Sequence, residues 1–264
     1  MILGFDQEVP FEIAGCKGHN LARMWQAGLP VPPGFCVTWD GIDSVVISDL
    51  RRALEVLGSD AFAVRSSALH EDLAEASFAG MLLSRLNITA AEGVLAALHD
   101  IRNSATAPAA VRYSRRLNVR RSPRVSAVVQ AFLPAEVSGV LFMRDPRTSA
   151  GHLVVEACWG LGPGIVEGLV LPDRWIISSE GDVIASHTAD KDIAVVPAAQ
   201  GGTTQTQVDP GCRRRPCLSV VLLRELSRLA AECQRLFASP QDIEWAVLGD
   251  QVWLLQSRPI TASH

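Results

Sequence analysis

The end of the chain puts three unlike functional groups within reach of one another. Gln241-Asp242-Ile243-Glu244-Trp245-Ala246 is followed by a Gly-Asp turn and then by Gln256-Ser257-Arg258-Pro259. Residues 243–248 and 252–258 both read as strands, joined at Gly249-Asp250-Gln251. A three-residue loop sets Glu244 opposite Gln256 and Asp242 opposite Arg258. Gln256 and Arg258 then share a face with Glu244, because side chains alternate along a strand. A carboxylate, an amide oxygen and a guanidinium on one face suit a magnesium–triphosphate. Hard oxygens hold the cation, and the guanidinium forks onto phosphate oxygens. A two-residue loop would turn Glu244 away from Gln256 and leave a surface hairpin with charged edges.

Three other stretches offer matching chemistry. Lys17 lies between Gly15 and Gly18 at the start of a helix expected over 19–27 and ended by Gly28. Unpaired N–H groups and the helix dipole favour an anion there, and a lysine can reach a terminal phosphate. The spacing is not that of a Walker A loop. Arg65-Ser66-Ser67 ends the apolar run Ala61-Phe62-Ala63-Val64, so a guanidinium leaves a sheet beside two hydroxyls. Val128-Val129-Gln130-Ala131-Phe132-Leu133-Pro134 reads as a buried strand leaving a core, where exposed backbone can meet the edge of a base.

The elements that must position these groups follow from periodicity. A strand is expected at 35–38 and a helix at 43–57, with Val45, Val46, Leu50, Ala53, Leu54 and Leu57 on its apolar side. Residues 68–80 read as loop, 81–88 as strand, and 90–103 and 108–119 as helices. Strands then accumulate at 125–132, 138–143, 152–157, 173–178 and 183–187, and a long amphipathic helix covers 219–237. Residues 197–217, rich in Gly, Pro, Thr and Gln, read as a mobile loop. Helices dominate early and strands late, which implies an α+β chain with lobes at 1–122 and 123–264.

Bulk composition narrows the classes. The chain has 264 residues, 48% of them hydrophobic, enough for one large domain or two lobes with a core. A net charge of −4 supplies no basic field for nucleic acid. No apolar run approaches the roughly 20 residues that span a bilayer, and no signal peptide is evident. The six cysteines form no paired zinc spacing and read as packed, reduced thiols of a cytoplasmic protein. Of the 24 basic residues only Lys17 and Lys191 are lysines, which is the pattern expected either of sites needing a compact ammonium or of drift in a chain that otherwise uses arginine.

Taken in order, GCKGHNLARMWQAGLPVPPGF, FAVRSSALHEDLAEASFAG, VVQAFLPAEVSGVLFMRDP, VVEACWGLGPGIVEGLVLPD and QDIEWAVLGDQVWLLQSRPIT resemble one family. It is the N-terminal nucleotide-binding domain of phosphoenolpyruvate synthase and pyruvate phosphate dikinase, shared with rifampicin phosphotransferase. The resemblance implies an ATP-grasp fold, whose two α+β lobes close over ATP and Mg2+. It implies that Lys17 and Arg65 bind phosphates, that Gln130, Phe132 and Leu133 form the adenine hinge, and that Glu136 lies near the sugar. Glu244 and Gln256 would hold the metal and Arg258 the terminal phosphates, with catalysis falling to Lys17, Arg65 and Arg258. Three positions depart from the family pattern: Ala109 where an arginine is usual, Pro163 in place of the glutamate of Gly-Leu-Gly-Glu, and Met81 in place of a glutamine.

Two functions are consistent with this reading. One is an ATP-dependent phosphotransferase module passing a phosphoryl group to a histidine on a separate carrier protein, or directly to a small-molecule acceptor. The other is a nucleotide-sensing or regulatory subunit that keeps the fold without turnover. The three departures favour the second, and the intact set of Lys17, Arg65, Glu244, Gln256 and Arg258 favours the first.

Overall fold

The computed structural model describes residues 1–69, 83–106, 124–144 and 151–260. The expected helix at 108–119, Met81, Ala109 and most of the loop 68–80 lie outside the described residues. Thirteen strands and five helices form among the described residues. The first sheet is antiparallel with the order β1-β2-β5-β3-β4, from Ile2–Gly4, Gly34–Val37, Val125–Ala131, Phe62–Ala68 and Ser84–Ile88. Helices α2 (Ile47–Leu57) and α3 (Ala91–Thr106) cover one of its faces. Phe62, Val64 and Ala68 of β3 join Leu50, Leu54, Leu98 and Ile101 in that core. The period-2 face of the strand and the 3.6-period face of the helices therefore bury the same apolar set.

The second sheet has the order β13-β12-β6-β7-β8-β9 and is also antiparallel. Its strands are Gln251–Pro259, Gln241–Leu248, Val137–Phe142, Leu153–Trp159, Asp173–Ile177 and Val183–His187. Helix α4 (Pro163–Val166) is a single turn, and α5 (Val220–Phe237) packs behind the sheet. Ser219 caps α5 by accepting from the Leu222 N–H at 3.3 Å. Leu223, Leu226, Leu229 and Cys233 of α5 meet Leu141, Val155, Trp175, Ile243 and Trp245 from the sheet. Helix α1 (Phe11–Gln26) adds Leu21 and Met24 to the same core, so an element of the first lobe is packed into the second.

Two expectations about organisation are corrected. A division at 122/123 assigns Val125–Ala131 to the second lobe, yet β5 pairs with β2 and β3 at the centre of the first sheet. The first sheet closes only at Ala131. Residues 197–217 are also more than a mobile loop. Thr203–Gln207 forms β11, which pairs with β10 (Ile193–Pro197). Asp190 then holds the following turn through Arg213 at 2.8 Å and Arg214 at 3.0 Å. The Thr-Thr-Gln-Thr-Gln sequence of β11 is fully exposed and carries no apolar alternation, which removed the usual signal of a strand. The cysteines are free, and four of the six are buried. Burial alone pushes the Cys36 thiol up to about 12.

Helix α5 ends on a strained residue. Ala238 takes the left-handed conformation at φ 55°, a place that glycine fills at lower cost. Arg23 of α1 donates to the Leu236 carbonyl at 2.7 Å and lies over the Phe237 ring at 4.9 Å, tying down this helix end. Ala238→Gly should stabilise the protein by about 0.5–1 kcal/mol. A rise in the urea midpoint at unchanged slope is the expected observation, and a fall would show that the left-handed turn carries no strain.

Candidate nucleotide site

The local structure at Lys17 begins with a glycine. Helix α1 breaks at Gly15, where φ is 76° and ψ is 172°. A Cβ there would lie 2.5 Å from the Ser67 carbonyl oxygen. Only glycine allows both the backbone angle and this close approach. The chain then re-enters the helix against the end of β3. Ser67 Oγ accepts from the Gly18 N–H at 3.0 Å, and Lys17 Nζ donates to the Ser66 carbonyl at 3.2 Å. Lys17 is 8% exposed. The expected helix start is thus a kinked joint, and its seat is Ser66 and Ser67 of a β3 that runs one residue beyond the expected strand end, to Ala68.

The hairpin reaches its register by an unexpected route. Leu248 pairs with Gln251, so the loop is the two-residue turn Gly249-Asp250. Alone, that turn would set Glu244 and Gln256 on opposite faces. A bulge intervenes: Trp245 pairs with Leu254 but Glu244 pairs with Gln256, leaving Leu255 as the extra residue. Asp242 then stands opposite Arg258, and the four polar side chains share one face. The opposite face, with Ile243 and Trp245, is the core over α5.

Arg65 crosses from the first lobe to this hairpin. Its Nη1 donates to the carbonyl of the bulged Leu255 at 3.0 Å. Burial pushes the guanidinium below its ordinary value, and the neighbouring Glu244 carboxylate opposes that shift. Asn20 makes a second crossing, donating from Nδ2 to the Ser257 carbonyl at 2.9 Å. Arg258 is half exposed and lies 3.5 Å from Asp242. Lys17, Arg65, Glu244, Gln256 and Arg258 are therefore gathered on the joint formed by α1, the end of β3 and the final hairpin.

The residues expected at the hinge behave differently from one another. Gln130 is 2% exposed, and its amide donates to the Pro32 carbonyl at 3.2 Å, so its side chain is spent on the connector at 29–34. The Phe132 N–H donates to the Ala61 carbonyl at 2.9 Å, and the Leu133 carbonyl accepts from Ala135 at 2.8 Å. Phe132 and Leu255 pack against a small apolar cluster of Ala135, Leu161, Val195 and Ala246. Glu136 is exposed beside it. Sequence reasoning missed Val195, because β10 went unrecognised. It also missed Glu156 and Arg174, which register places in the same row as Glu244 and Val140 and which pair at 3.5 Å. Cross-strand alternation from Glu244 outward was the signal that would have found them.

Fold and site together have the form of an α+β nucleotide-binding domain. The chain belongs to the family described as the AMP/ATP-binding domain of pyruvate phosphate dikinase, which it matches over residues 41–264. Membership carries the α+β ATP-grasp fold expected of that family, and the two-sheet architecture agrees with it. The chain is 34% identical over 280 residues to the prodigiosin synthesizing transferase PigC of Serratia marcescens, covering 94% of this chain and 31% of that protein. It is 33% identical to a probable phosphoenolpyruvate synthase of Methanocaldococcus jannaschii, covering 95% and 26% respectively. It is 30% identical to the rifampicin phosphotransferase of Bacillus subtilis, covering 99% and 36%. The chain thus spans 26% to 36% of the length of these relatives. Among the described residues no helix is long and apolar enough to cross a membrane.

The Gly15 joint gives a direct test of the site's construction. Gly15→Ala forces a side chain onto the Ser67 carbonyl at a positive φ and should cost about 2–3 kcal/mol. Ser67→Ala leaves the buried Gly18 N–H without its acceptor and should cost about 1 kcal/mol. Equal costs in urea unfolding would show that the close approach at Gly15 is dispensable.

Proposed function

We propose that this chain is the Mg–ATP-binding module of a phosphotransferase. The observation that carries the proposal is the bulged register, with Asp242, Glu244, Gln256 and Arg258 on one face, Arg65 bonded to the hairpin from the first lobe, and Lys17 seated on the Ser66 carbonyl next to Arg65 in sequence. The donor set fits the group. Among the described residues no three His, Cys, Asp or Glu side chains converge into a metal cage. One carboxylate and one amide, Glu244 and Gln256, suit a Mg2+ that arrives already bound to phosphate oxygens. When bound, the metal supplies charge neutralisation across the phosphates.

The chain's own residues divide the remaining work. Lys17 and Arg65 hold phosphate oxygens from the first lobe. Arg65 is oriented by the Leu255 carbonyl and restrained by Glu244, so its charge is aimed before any ligand enters. Arg258 is held by Asp242 and is exposed enough to exchange that partner for the terminal phosphate. In this reading Phe132, Leu255 and the apolar cluster take the base, and the exposed Glu136 bonds a ribose hydroxyl. Catalysis by such a set is positioning and charge stabilisation rather than covalent chemistry. The acceptor is a histidine on a separate carrier protein or a small molecule. The first is the expectation that the family resemblance raised, and the second is supported by relatives whose printed names include rifampicin phosphotransferase.

One observation favours the non-catalytic alternative. Pro163 occupies the place of the family's glutamate and begins the single turn of α4, so a carboxylate is lost beside the apolar cluster. Binding and transfer must therefore be measured apart. Mg–ATP should raise the unfolding temperature, because binding stabilises the folded state by RT ln(1 + [L]/Kd), about 2.7 kcal/mol at 100 times Kd. Glu244→Gln should remove most of the magnesium dependence of that shift. Arg258→Ala should lower phosphoryl transfer by roughly 10³ while leaving much of the binding, and Lys17→Ala should weaken both. Absence of any shift with millimolar Mg–ATP defeats both readings. Tight binding without transfer to any protein or metabolite of the native extract selects the sensor.

A further inference from the structure

Residues 188–217 leave the second sheet after β9 and return before α5 as one closed excursion. Its base is clamped by Asp173, which is fully buried at the start of β8. Asp173 Oδ1 accepts from the Ala189 N–H at 2.8 Å and from Lys191 Nζ at 2.5 Å, and Oδ2 accepts from the Cys217 N–H at 3.0 Å. Lys191 is fully buried as well. A dry ion pair with this many hydrogen bonds is lost only with a large penalty, so the two ends of the excursion are fixed to each other.

Above the base, the β10–β11 hairpin touches both lobes. The Leu161 N–H donates to the Val195 carbonyl at 2.8 Å. Gly160, at φ 80°, bridges to the same residue, and a Cβ on it would lie 2.2 Å from that carbonyl oxygen. The Val195 side chain forms part of the apolar cluster with Ala135, Leu161 and Ala246. At the tip, the turn 198–202 meets β4 of the first sheet. Asn87 Nδ2 donates to the Ala198 carbonyl at 2.8 Å and to the Gly202 carbonyl at 2.9 Å. The Gly202 N–H donates back to the Asn87 carbonyl at 3.0 Å. Asn87 is 8% exposed and sits at φ 56°, a left-handed angle that asparagine tolerates better than most side chains. That angle presents its amide and its carbonyl to the hairpin together.

We infer that the β10–β11 hairpin is a strap between the lobes, that Asn87 is its latch, and that the latched strap holds Val195 as one wall of the base pocket. The strap itself stands on the hydrogen bonds above; its effect on ligand rests on the nucleotide reading. The base of the strap is rigid and its tip is held by three hydrogen bonds, so opening occurs at the tip. A bound base then leaves only when the Val195 wall moves. Asn87 is a positioning residue, acting through Val195.

Two variants and two readouts test this. Asn87→Gly keeps the left-handed backbone and removes both side-chain bonds. Asn87→Asp keeps size and sets an acceptor against two carbonyls. In nucleotide-free protein, both should speed amide hydrogen exchange in residues 198–207 by about tenfold while leaving α5 unchanged. Both should speed dissociation of a fluorescent Mg–ATP analogue by about fivefold or more, with association changed much less. Unchanged exchange in both variants overturns the strap. Faster exchange with unchanged dissociation overturns the positioning role. If the wild type fails to bind the analogue, the nucleotide reading and the positioning role fall together, and the exchange arm alone decides the strap.

Discussion

One extra residue in one strand governs the polar face. The Gly249-Asp250 turn is a tight two-residue connection, and left alone it would send Gln256 and Arg258 into the core beneath α5. Burying a guanidinium and an amide among Ile243, Trp245 and Leu254 would be costly without partners. The bulge at Leu255 shifts the strand by one position, and the polar residues emerge on the face shared with Asp242 and Glu244. It also frees a carbonyl from the ladder, and Arg65 uses that carbonyl to reach across from the first lobe. A single local irregularity thus sets both the composition of the face and its link to the opposite sheet.

The second constraint is that the lobes are not independent bodies joined by a string. Leu21 and Met24 of α1 sit in the core of the second sheet, while Gly15 of the same helix rests on β3 of the first and Gly18 on Cys36 of β2 and Val128 of β5. The Leu254 N–H donates to the Pro30 carbonyl at 2.7 Å, continuing the same seam. A helix packed on two sides fixes the distance between the Ser66 carbonyl that holds Lys17 and the hairpin that carries Glu244. Lobe motion in this molecule is confined to what that seam permits.

Much of this was legible in the chain, for physical reasons that differ by element. The glycine turn at Lys17 and the facing of Glu244 with Gln256 could be read because each depends on local chemistry, whereas Arg65, expected at a strand end, lies mid-strand in a β3 that runs on to Ala68. The facing was read through a three-residue loop, whereas the structure uses a two-residue turn and a bulge. Both insert one residue, so both give the same pairing, and period-2 reasoning cannot separate them. The lobe boundary was misplaced because β5 follows a break in composition yet belongs to the earlier sheet; strand order is a tertiary property. The β10–β11 hairpin was missed because β11 is Thr and Gln throughout, with no apolar member to match the short apolar run of β10. Its stability comes from Asp173 and Asn87, which lie far away in sequence. Gln130, expected at the hinge, donates its side-chain amide to the Pro32 carbonyl, a contact that strand periodicity does not reveal.

The near-absence of lysine has a consequence for the chemistry of the folded surface. Only two of the 24 basic residues carry a primary amine side chain, and the structure buries both, Lys17 at 8% exposure and Lys191 at 0%. Arginine is not acylated by ordinary amine reagents, so the charged exterior is almost inert to them. Apart from the chain terminus, the one ε-amine bordering the interlobe joint is that of Lys17. Amine labelling at Lys17, resolved from that of the exposed terminal α-amine by peptide mapping, therefore reports how far that joint breathes.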